Sequence, residues 1–260
     1  MLILSCDGFS DLWSGHIKQL QKHWPDHGMR TAIVTDKETT LSFPGIEILP
    51  VCNAPEWTDR LKAALRTVTT EYVFITLDDY YLIQNVDNKR ISALLAAMDL
   101  NKIDYLRLFS QPERATMAPI PGCKKLFSVD TQYVYSVNLY SGIWKKDFMF
   151  STVRESKTIW QYEVSLARSA REYFARCAMS KQADFKILDV VRKGKLLHRA
   201  TRYFKKHPGI YSGNRQTNSL SYELQLCLRH NFVRYMPLPV VNAARNFMIK
   251  RGHHYYSQEQ

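Results

Sequence analysis

The run Tyr72-Val73-Phe74-Ile75-Thr76-Leu77-Asp78-Asp79 carries most of the information on how this chain folds. Its first six residues are mostly β-branched, aromatic or aliphatic, as in a buried parallel strand, which lacks polar alternation. Ligands of open α/β sheets bind outside the carboxyl ends of the strands, where Asp78 and Asp79 fall. Adjacent carboxylates are costly unless positive charge lies near them. We therefore predict a divalent cation, Mg²⁺ or Mn²⁺, with a phosphate-bearing ligand; the alternative is two solvated acids that open a turn.

The composition is that of a globular protein. The 260 residues suit one large domain, or a domain with a small appendage, and 45% of them are hydrophobic. No apolar run approaches the roughly 20 residues that span a bilayer. The amino-terminal segment lacks the basic start and long apolar stretch of a signal peptide. The five cysteines are scattered without a Cys-x-x-Cys pair, which predicts a reducing cytoplasm and neither a disulfide framework nor a zinc site.

The net charge of +12 is concentrated in the last quarter of the chain. Residues 1–185 hold 22 Lys/Arg and 21 Asp/Glu, whereas residues 186–251 hold 14 Lys/Arg against only Asp189 and Glu223. Such asymmetry indicates a polyanionic partner: a membrane surface, a phosphate ligand or a nucleic acid.

Strand and helix patterns alternate over the first 110 residues. This alternation predicts an α/β fold with a mainly parallel sheet flanked by helices. Further on, helical spacing recurs at 160–174 and 238–251. The segment 111–123 contains three prolines and a glycine and predicts a loop. The segment 199–218 shows little periodicity, and we predict a loop there as well.

The order of these parts resembles the GT-A class of nucleotide-sugar glycosyltransferases, and more narrowly the bacterial enzymes that build capsular or O-antigen polysaccharide. Four stretches between about residues 2 and 170 carry the resemblance: Ser5-Cys6-Asp7, Trp57-Thr58-Asp59-Arg60-Leu61, Leu77-Asp78-Asp79-Tyr80-Tyr81-Leu82, and Ser141-Gly142-Ile143-Trp144-Lys145-Lys146-Asp147-Phe148 with Trp160-Gln161-Tyr162-Glu163. The resemblance implies a GT-A-like (Rossmann-like) catalytic domain at 1–185, with a nucleotide half at about 1–110 and an acceptor half at about 111–185. A basic, largely helical extension would then occupy 186–260.

For the donor side, the resemblance implies that a nucleotide-diphosphate sugar binds at the acidic strand end. Asp79 would hold the metal, with Asp78 as a ligand or close neighbour. The acids of the class's metal motif are separated by one residue, whereas here they are adjacent, so which one binds, and whether a metal is required, stays open. The late histidines His198 and His207 are further metal or diphosphate candidates; the alternative is that they are merely solvated.

Basic residues would share the charge of the diphosphate. The candidates are Arg192, Lys193 and Lys195 around Gly194, which allows close backbone approach; the alternative is a solvated basic turn. Asp7 would hydrogen-bond the nucleotide base or ribose. Arg60 would contact the base or phosphate, or instead pair with Glu56 on its own helix.

For the acceptor side, we predict that Glu163 is the general base, since its partly apolar setting would raise its pKa. A base opposite the leaving group gives inversion at the anomeric carbon. The alternative is that Glu163 only favours the amino-terminal end of its helix, and Asp147 is the reserve candidate. Three tyrosines are candidate sugar-stacking residues or core residues: Tyr133, Tyr135 and Tyr140.

The expected acceptor is a glycan, such as an O-antigen or capsule precursor carried on a polyprenyl diphosphate. The enzyme would then be cytoplasmic and peripheral on the inner face of an anionic membrane, where the predicted helix 238–251 lies in the interface or packs on the domain. The rival enzyme is a nucleotidyltransferase or sugar-phosphate transferase, but no glycine-rich loop follows the first strand. A nucleic-acid-binding protein would use the basic segment 202–206, yet no recognition motif is present, so we do not expect a nucleic-acid partner. A binding module without activity is the remaining possibility.

Overall fold

The computed structural model describes residues 1–110, 113–182 and 184–251. In chain order the strands are β1 Leu2–Leu4, β2 Thr31–Thr35, β3 Ile46–Pro50, β4 Tyr72–Leu77, β5 Tyr80–Leu82, β6 Tyr105–Arg107, β7 Thr116–Pro119, β8 Leu126–Val129, β9 Gly142–Lys145, β10 Cys177–Ser180, β11 Ile187–Asp189, β12 Val191–Arg192 and β13 Lys195–Leu196. The α-helices are α1 Ser10–His23, α2 Trp57–Thr67, α3 Asn88–Asn101, α4 Lys146–Thr152, α5 Ile159–Glu172, α6 His198–Lys206, α7 Leu220–Tyr235 and α8 Leu238–Lys250.

A nine-stranded sheet in the order β3-β2-β1-β4-β9-β6-β10-β8-β7 forms the centre of the molecule. The strands β3, β2, β1 and β4 are parallel, and so are β6 and β10. Strand β9 lies antiparallel between β4 and β6, where Ile143 faces both Phe74 and Leu106. The predicted mainly parallel α/β sheet is confirmed.

Helices cover both faces of this sheet, so consecutive strand residues are buried in opposite directions. Leu2 and Leu4 of β1 belong to a core cluster with Leu61 and Leu65 of α2. The intervening Ile3 belongs to a second cluster, which includes residues of α1 and α3. Because both faces are covered, β1 and β4 read as continuous apolar runs without polar alternation.

The starts of α1 and α2 are defined by the residues just before them. A 3₁₀ turn at Asp7–Phe9 precedes α1, so Ser10 lies inside the helix and Phe9 is its N-cap. Helix α2 has Glu56 as N-cap, which forms a capping box with Asp59. The capping box satisfies backbone donors at the helix start, and Pro55 therefore lies before the helix rather than as its first residue.

The loop predictions are only partly right. Residues 198–206 form α6, in which Ala200 and Phe204 contribute to a small apolar cluster beside α1, so the prediction of a loop from 199 is wrong there. Within the predicted loop 111–123, residues 116–119 instead form the edge strand β7. Gln111 and Pro112 of that segment lie outside the described residues. The helix predicted at 238–251 is confirmed as α8, and α7 was not predicted.

The segment after residue 186 is closely connected with the first half of the chain. Strand β11 pairs antiparallel with β5, and Leu188, Val190 and Leu196 pack with Leu12 and Tyr81. The proposed division of the chain at 185/186 stays a prediction. Within the described part of the chain, no helix is long and apolar enough to cross a bilayer.

Candidate functional site

A cleft of about 1030 Å³ opens at the carboxyl ends of β1 and β4. The chain leaves β1 towards β2 on one side, whereas β4 lies on the other side, so the strand order reverses between these neighbours. Reversals of this kind create a crevice at the strand ends, which is the usual ligand site of open α/β sheets. Ser5 and Cys6 after β1, and Asp78 and Asp79 after β4, line this crevice.

Asp78 is buried, and hydrogen bonds from Ser5 and His16 hold it in place. The hydroxyl of Ser5 donates to Asp78 Oδ2 and accepts from Trp13 Nε1 at 2.6 Å. The Nδ1–H of His16 donates to the backbone oxygen of Asp78 at 3.2 Å. Burial raises the pKa of the Asp78 carboxyl, which the Ser5 hydrogen bond partly offsets. Burial lowers the pKa of His16 to about 4, so His16 is neutral at pH 7 and acts only as a hydrogen-bond donor.

Asp79 lines the cleft and has one carboxylate oxygen without a partner. Its Oδ1 is buried and makes no hydrogen bond with any described residue. Burial, together with the negative charges of Asp78 and Asp189, raises the pKa of Asp79 well above its usual range. A carboxylate oxygen without a protein partner, beside two other acids, is a site with a strong need for positive charge.

Asp189 is a site residue that the sequence analysis missed. The pairing of β11 with β5 brings Asp189 opposite Tyr80, next to the Asp-Asp pair. Its Oδ2 accepts from Arg192 at 2.8 Å and lies 3.5 Å from Arg199 Nη2. Burial raises the pKa of Asp189 in spite of these two arginines. The available signal was weak: Asp189 also follows a short apolar run, but one of only two residues.

The basic residues 192–195 form a tight hairpin at the cleft. Arg192, Lys193 and Gly194 line the cleft, whereas Lys195 lies outside its lining. Lys193 and Gly194 have φ of 50° and 74°, as the two central residues of a type I′ turn require. Around a Cβ placed on Gly194 there is no described atom within 4 Å, so the positive φ of the turn is what favours glycine here, and close approach of a ligand to this backbone stays a prediction.

Glu163 of α5 lines the same cleft as the acidic strand end. The capping box of Thr158 and Gln161 fixes the start of α5, and Glu163 follows in the second turn. Glu163 Oε1 accepts from the backbone N–H of Leu139 at 3.3 Å. Burial raises the pKa of Glu163, although its backbone hydrogen bond and the positive charge of Arg192 lower it. The residue is thus a carboxylate of increased basicity that faces the same cavity as the Asp-Asp pair.

Some of the other predicted site residues line the cleft and some do not. Arg60 lines the cleft on the side of α2. Asp7 lies outside the cleft lining; its N–H donates to Asp36 at 2.6 Å and its carboxylate pairs with Lys37 at 3.4 Å. Asp147 lines a separate cavity of about 310 Å³ and is not brought to the cleft.

The two candidate histidines lie outside the cleft lining. The backbone N–H of His198 donates to Glu223 at 2.7 Å, and its Nε2 is buried without a described partner. The ring of His207 packs on Tyr203 at 4.3 Å. Neither imidazole is placed with the Asp-Asp pair as a common ligand set.

Aromatic side chains also line the cleft that Glu163 lines. Tyr140 stacks on Tyr80 with a 5.5 Å centroid distance and lines the cleft together with Tyr135, whereas Tyr133 packs against the core. Trp160 is 53% exposed and Tyr135 is 41% exposed, so both present ring surface to solvent. These rings offer stacking surface for the apolar face of a sugar.

Helix α7 closes one side of the cleft. His230, Val233, Arg234 and Tyr235 line the cavity from this helix. Arg114 Nε donates to the backbone oxygen of Arg234 at 2.9 Å, and Arg114 also donates to the backbone oxygen of Met236. These bonds fasten the carboxyl end of α7 to the sheet side of the molecule. The sequence patterns did not predict this wall.

The site fits a divalent cation that takes part of its ligands from a substrate. Across residues 1–110, 113–182 and 184–251, no group of three or more His, Cys, Asp or Glu side chains is placed to hold a metal. Asp79 nevertheless presents a buried oxygen that lacks a partner, with Asp78 adjacent. Mg²⁺ is commonly bound by one or two carboxylates plus substrate phosphates and water, which is the donor set available here.

Comparisons with known proteins locate the fold. No protein-family model matches the chain, and a search of curated proteins gave no significant match. Residues 1–349 of S. aureus TarS, solved with UDP-GlcNAc, match with a TM-score of 0.50 and 14% identity over 75% of this chain. This chain spans 59% of that TarS fragment.

Two further solved structures extend the comparison. The mannosyltransferase PcManGT of Pyrobaculum calidifontis, in complex with GDP-Man and Mn²⁺, matches with a TM-score of 0.50 and 11% identity. The match covers 99% of this chain and 81% of the PcManGT chain. A cytidylyltransferase of Leptospira borgpetersenii gives a TM-score of 0.45 at 13% identity, over 84% of this chain and 98% of its own. At such identities a likeness establishes architecture and nothing finer. The chain has the mixed α/β, GT-A-like fold of TarS and PcManGT.

Proposed function

We propose that this protein is a glycosyltransferase that moves a sugar from a nucleotide-diphosphate sugar to a glycan acceptor. The observation that carries the proposal is one cleft that brings together an acidic strand end, basic side chains and a further carboxylate. Asp78, Asp79, Arg192 and Glu163 all line it, and burial raises the pKa of Glu163. Nucleotide sugars bound to two structures of the same fold, UDP-GlcNAc and GDP-Man, support a donor of this class.

The donor would lie along the carboxyl ends of β1 and β4. Arg60 is available on the nucleotide side, and Arg192 and Lys193 are available to neutralise the diphosphate as it leaves. Asp79, with Asp78 beside it, would hold a Mg²⁺ or Mn²⁺ ion, which when bound supplies Lewis-acid stabilisation of the leaving group. Asp189 would keep the Arg192 guanidinium turned towards the cleft, since it accepts from both Nε and Nη2 of that arginine.

The acceptor would enter against the exposed rings of Trp160 and Tyr135. Glu163 would take the proton from the attacking hydroxyl, because its partly dehydrated carboxylate is a stronger base than a solvated one. With the diphosphate held at the acidic strand end, a base on the other side of the sugar would direct attack to the far side of the anomeric carbon. This arrangement predicts inversion of the anomeric configuration.

The test is a thermal-shift panel of UDP-, GDP-, dTDP- and CMP-sugars, with CTP as a further arm, each with and without Mn²⁺. We expect one class of nucleotide sugar to raise the melting temperature, since a ligand at 100 times its Kd stabilises by about 2.7 kcal/mol. Stabilisation that also survives EDTA would retain the transferase proposal and remove the metal role of Asp79. Stabilisation by CTP alone would favour the nucleotidyltransferase reading, and no shift from any compound would contradict a nucleotide-sugar site.

A further inference from the structure

Hydrogen bonds join the start of α2 to the loop before α5 through five residues, here called the latch: Thr58, Asp59, Glu155, Ser156 and Lys157. The Thr58 hydroxyl donates to the backbone oxygen of Glu155 at 2.9 Å and accepts from the backbone N–H of Lys157 at 2.8 Å. The backbone N–H of Thr58 donates to the oxygen of Lys157 at 3.2 Å. Ser156 Oγ donates to Asp59 Oδ2 at 2.8 Å. The latch thus connects segments that lie 97–99 residues apart in the chain.

Thr58 suits this position because both segments have backbone groups that need partners. It is the second residue of α2, where a backbone N–H has no acceptor within the helix. The loop at 153–158 lies between α4 and α5 and has no strand or helix to satisfy its own backbone groups. A hydroxyl can donate and accept at the same time. Thr58 is only 1% exposed, so water has little access to replace these bonds.

The latch lies between two groups of residues that line the cleft. Arg60 follows it on α2, and Trp160 and Glu163 follow it on α5. Thr58 itself lies outside the cleft lining, so it can influence a bound substrate only through these neighbours. The latch therefore sets how the start of α5 is placed relative to the start of α2.

The two helices depend on the latch to different degrees. Helix α2 is anchored independently, because Leu61 and Leu65 belong to the core and its capping box lies within its own first turn. In contrast, none of residues 154–161 is buried, and Tyr162 is the first buried residue of α5. The start of α5 therefore has little apolar burial to hold it, and loss of the latch should loosen α5 rather than α2.

We propose that Thr58 is a positioning residue for sugar transfer, whose hydroxyl holds the start of α5, and with it Glu163, in a fixed place relative to α2. This inference rests on the proposed function, since it takes Glu163 as the base. Donor binding should not require the latch, because Arg60 stays in place with α2. Proton removal should require it, since a displacement of about 1 Å at a reacting group can lower a rate by about 10²-fold.

The first measurement is hydrogen exchange of the backbone amides of residues 161–163 in the full chain without ligand. The test variant is Thr58→Val, which replaces the hydroxyl by a methyl group, and Thr58→Ser returns the hydroxyl. The matched control is Thr31→Val: Thr31 is also 1% exposed and donates to the Met29 oxygen at 3.1 Å, at the amino end of β2. We expect exchange about tenfold or more faster in Thr58→Val, and wild-type exchange in Thr58→Ser and Thr31→Val.

The second measurement is steady-state release of nucleotide from the nucleotide sugars of the thermal-shift panel, UDP-GlcNAc and GDP-Man first, with water as the acceptor. We expect Thr58→Val to lower kcat by about 10–100-fold with an unchanged KM for the nucleotide sugar, and Thr58→Ser to recover the rate. A general loss of structure would raise KM as well, and Thr31→Val should change neither constant.

Three results would overturn the proposal: unchanged exchange in Thr58→Val, a kcat equal to that of the control, or a KM that rises as kcat falls. If Thr58→Val does not fold, Ser156→Ala removes only the exposed bond to Asp59. It should shift exchange and kcat in the same directions, and no change in either would overturn the proposal too. Failure of the proposed function looks different, because the wild type would then release no nucleotide from any sugar, while exchange would still separate Thr58→Val from Thr58→Ser.

Discussion

Replacing Arg215 by methionine is expected to lower the free energy of unfolding by about 2 kcal/mol and to weaken donor binding. Arg215 donates from Nε and Nη2 to the two carboxylate oxygens of Asp11, at 2.8 and 2.6 Å. It also donates to the backbone oxygens of Gly8 at 2.6 Å and Gly194 at 3.1 Å. One guanidinium thus ties the loop after β1 to the basic hairpin, and both segments contribute residues to the cleft.

The magnitude follows from how exposed this ion pair is. Exposed pairs contribute about 0–1 kcal/mol, and breaking a fully buried pair costs about 3–5 kcal/mol. The side chains of Arg215 and Asp11 are 15% and 29% exposed, which places the pair between these limits. Methionine retains most of the apolar stem over Phe9, whose ring centre lies 4.5 Å from the guanidinium carbon. A loss of about 2 kcal/mol corresponds to a fall in melting temperature of about 4–8 °C for a chain of this size.

The pKa of Asp11 predicts in which direction the stability of the protein changes as the pH falls. Burial alone would raise the pKa of Asp11, but hydrogen bonds from Arg215 and Tyr211 lower it overall. A depressed carboxyl pKa stabilises the fold above the unfolded pKa of about 3.9, and this contribution is lost as the pH falls through the lower, folded value. The Arg215→Met variant should therefore lose less stability than the wild type as the pH falls below about 4.

The assay is urea denaturation of wild type, Arg215→Met, Asp11→Asn and the double variant at pH 7. We expect a coupling energy of about 1–2 kcal/mol between the two positions, since residues in direct contact couple on this scale. The nucleotide-sugar Kd should rise several-fold in Arg215→Met, because Phe9 and Gly194 line the cleft. A coupling energy near zero, or a stability within about 0.5 kcal/mol of the wild type, would refute the reasoning.

Three further predictions concern the cleft itself. Glu163→Gln keeps an oxygen for the Leu139 N–H and should leave donor affinity unchanged while lowering turnover by about 10²–10⁴-fold, and near-normal turnover would exclude Glu163 as the base. Because burial raises its pKa, the acid limb of the wild-type rate profile should lie above the usual glutamate value, and the variant should lack that limb. Asp79→Asn should abolish the Mn²⁺-dependent part of the nucleotide thermal shift, with Asp147→Asn, which lies outside the cleft, as the unaffected control. Gly194→Ala places a Cβ at φ 74° and should cost about 1–2 kcal/mol of stability, measured by urea denaturation; an unchanged midpoint would show that the hairpin relaxes.

The sequence predicted the site best where the local residue pattern alone determines a residue's place in the fold. The apolar run of β4 predicted a doubly covered strand, and sheet topology then places Asp78 and Asp79 at the crevice. Asp189 was not predicted, because a pairing between strands more than 100 residues apart brings it to the site. No local sequence pattern indicates such a pairing. The wall formed by α7 was not predicted either, because it also depends on contacts between segments far apart in the sequence. Helix α6 escaped because its short apolar pattern lies among cations that resemble a solvated loop.

The position of β9 has a consequence for how the molecule comes apart. This strand comes from the second half of the chain, yet it fills the gap between β4 and β6, which both come from the first. A fragment that ends near residue 110 would leave two bare strand edges about 9–10 Å apart in the middle of its sheet. Unpaired edges of that kind recruit other chains, so such a fragment should aggregate rather than fold. The first and second halves of the chain should therefore unfold in a single cooperative transition.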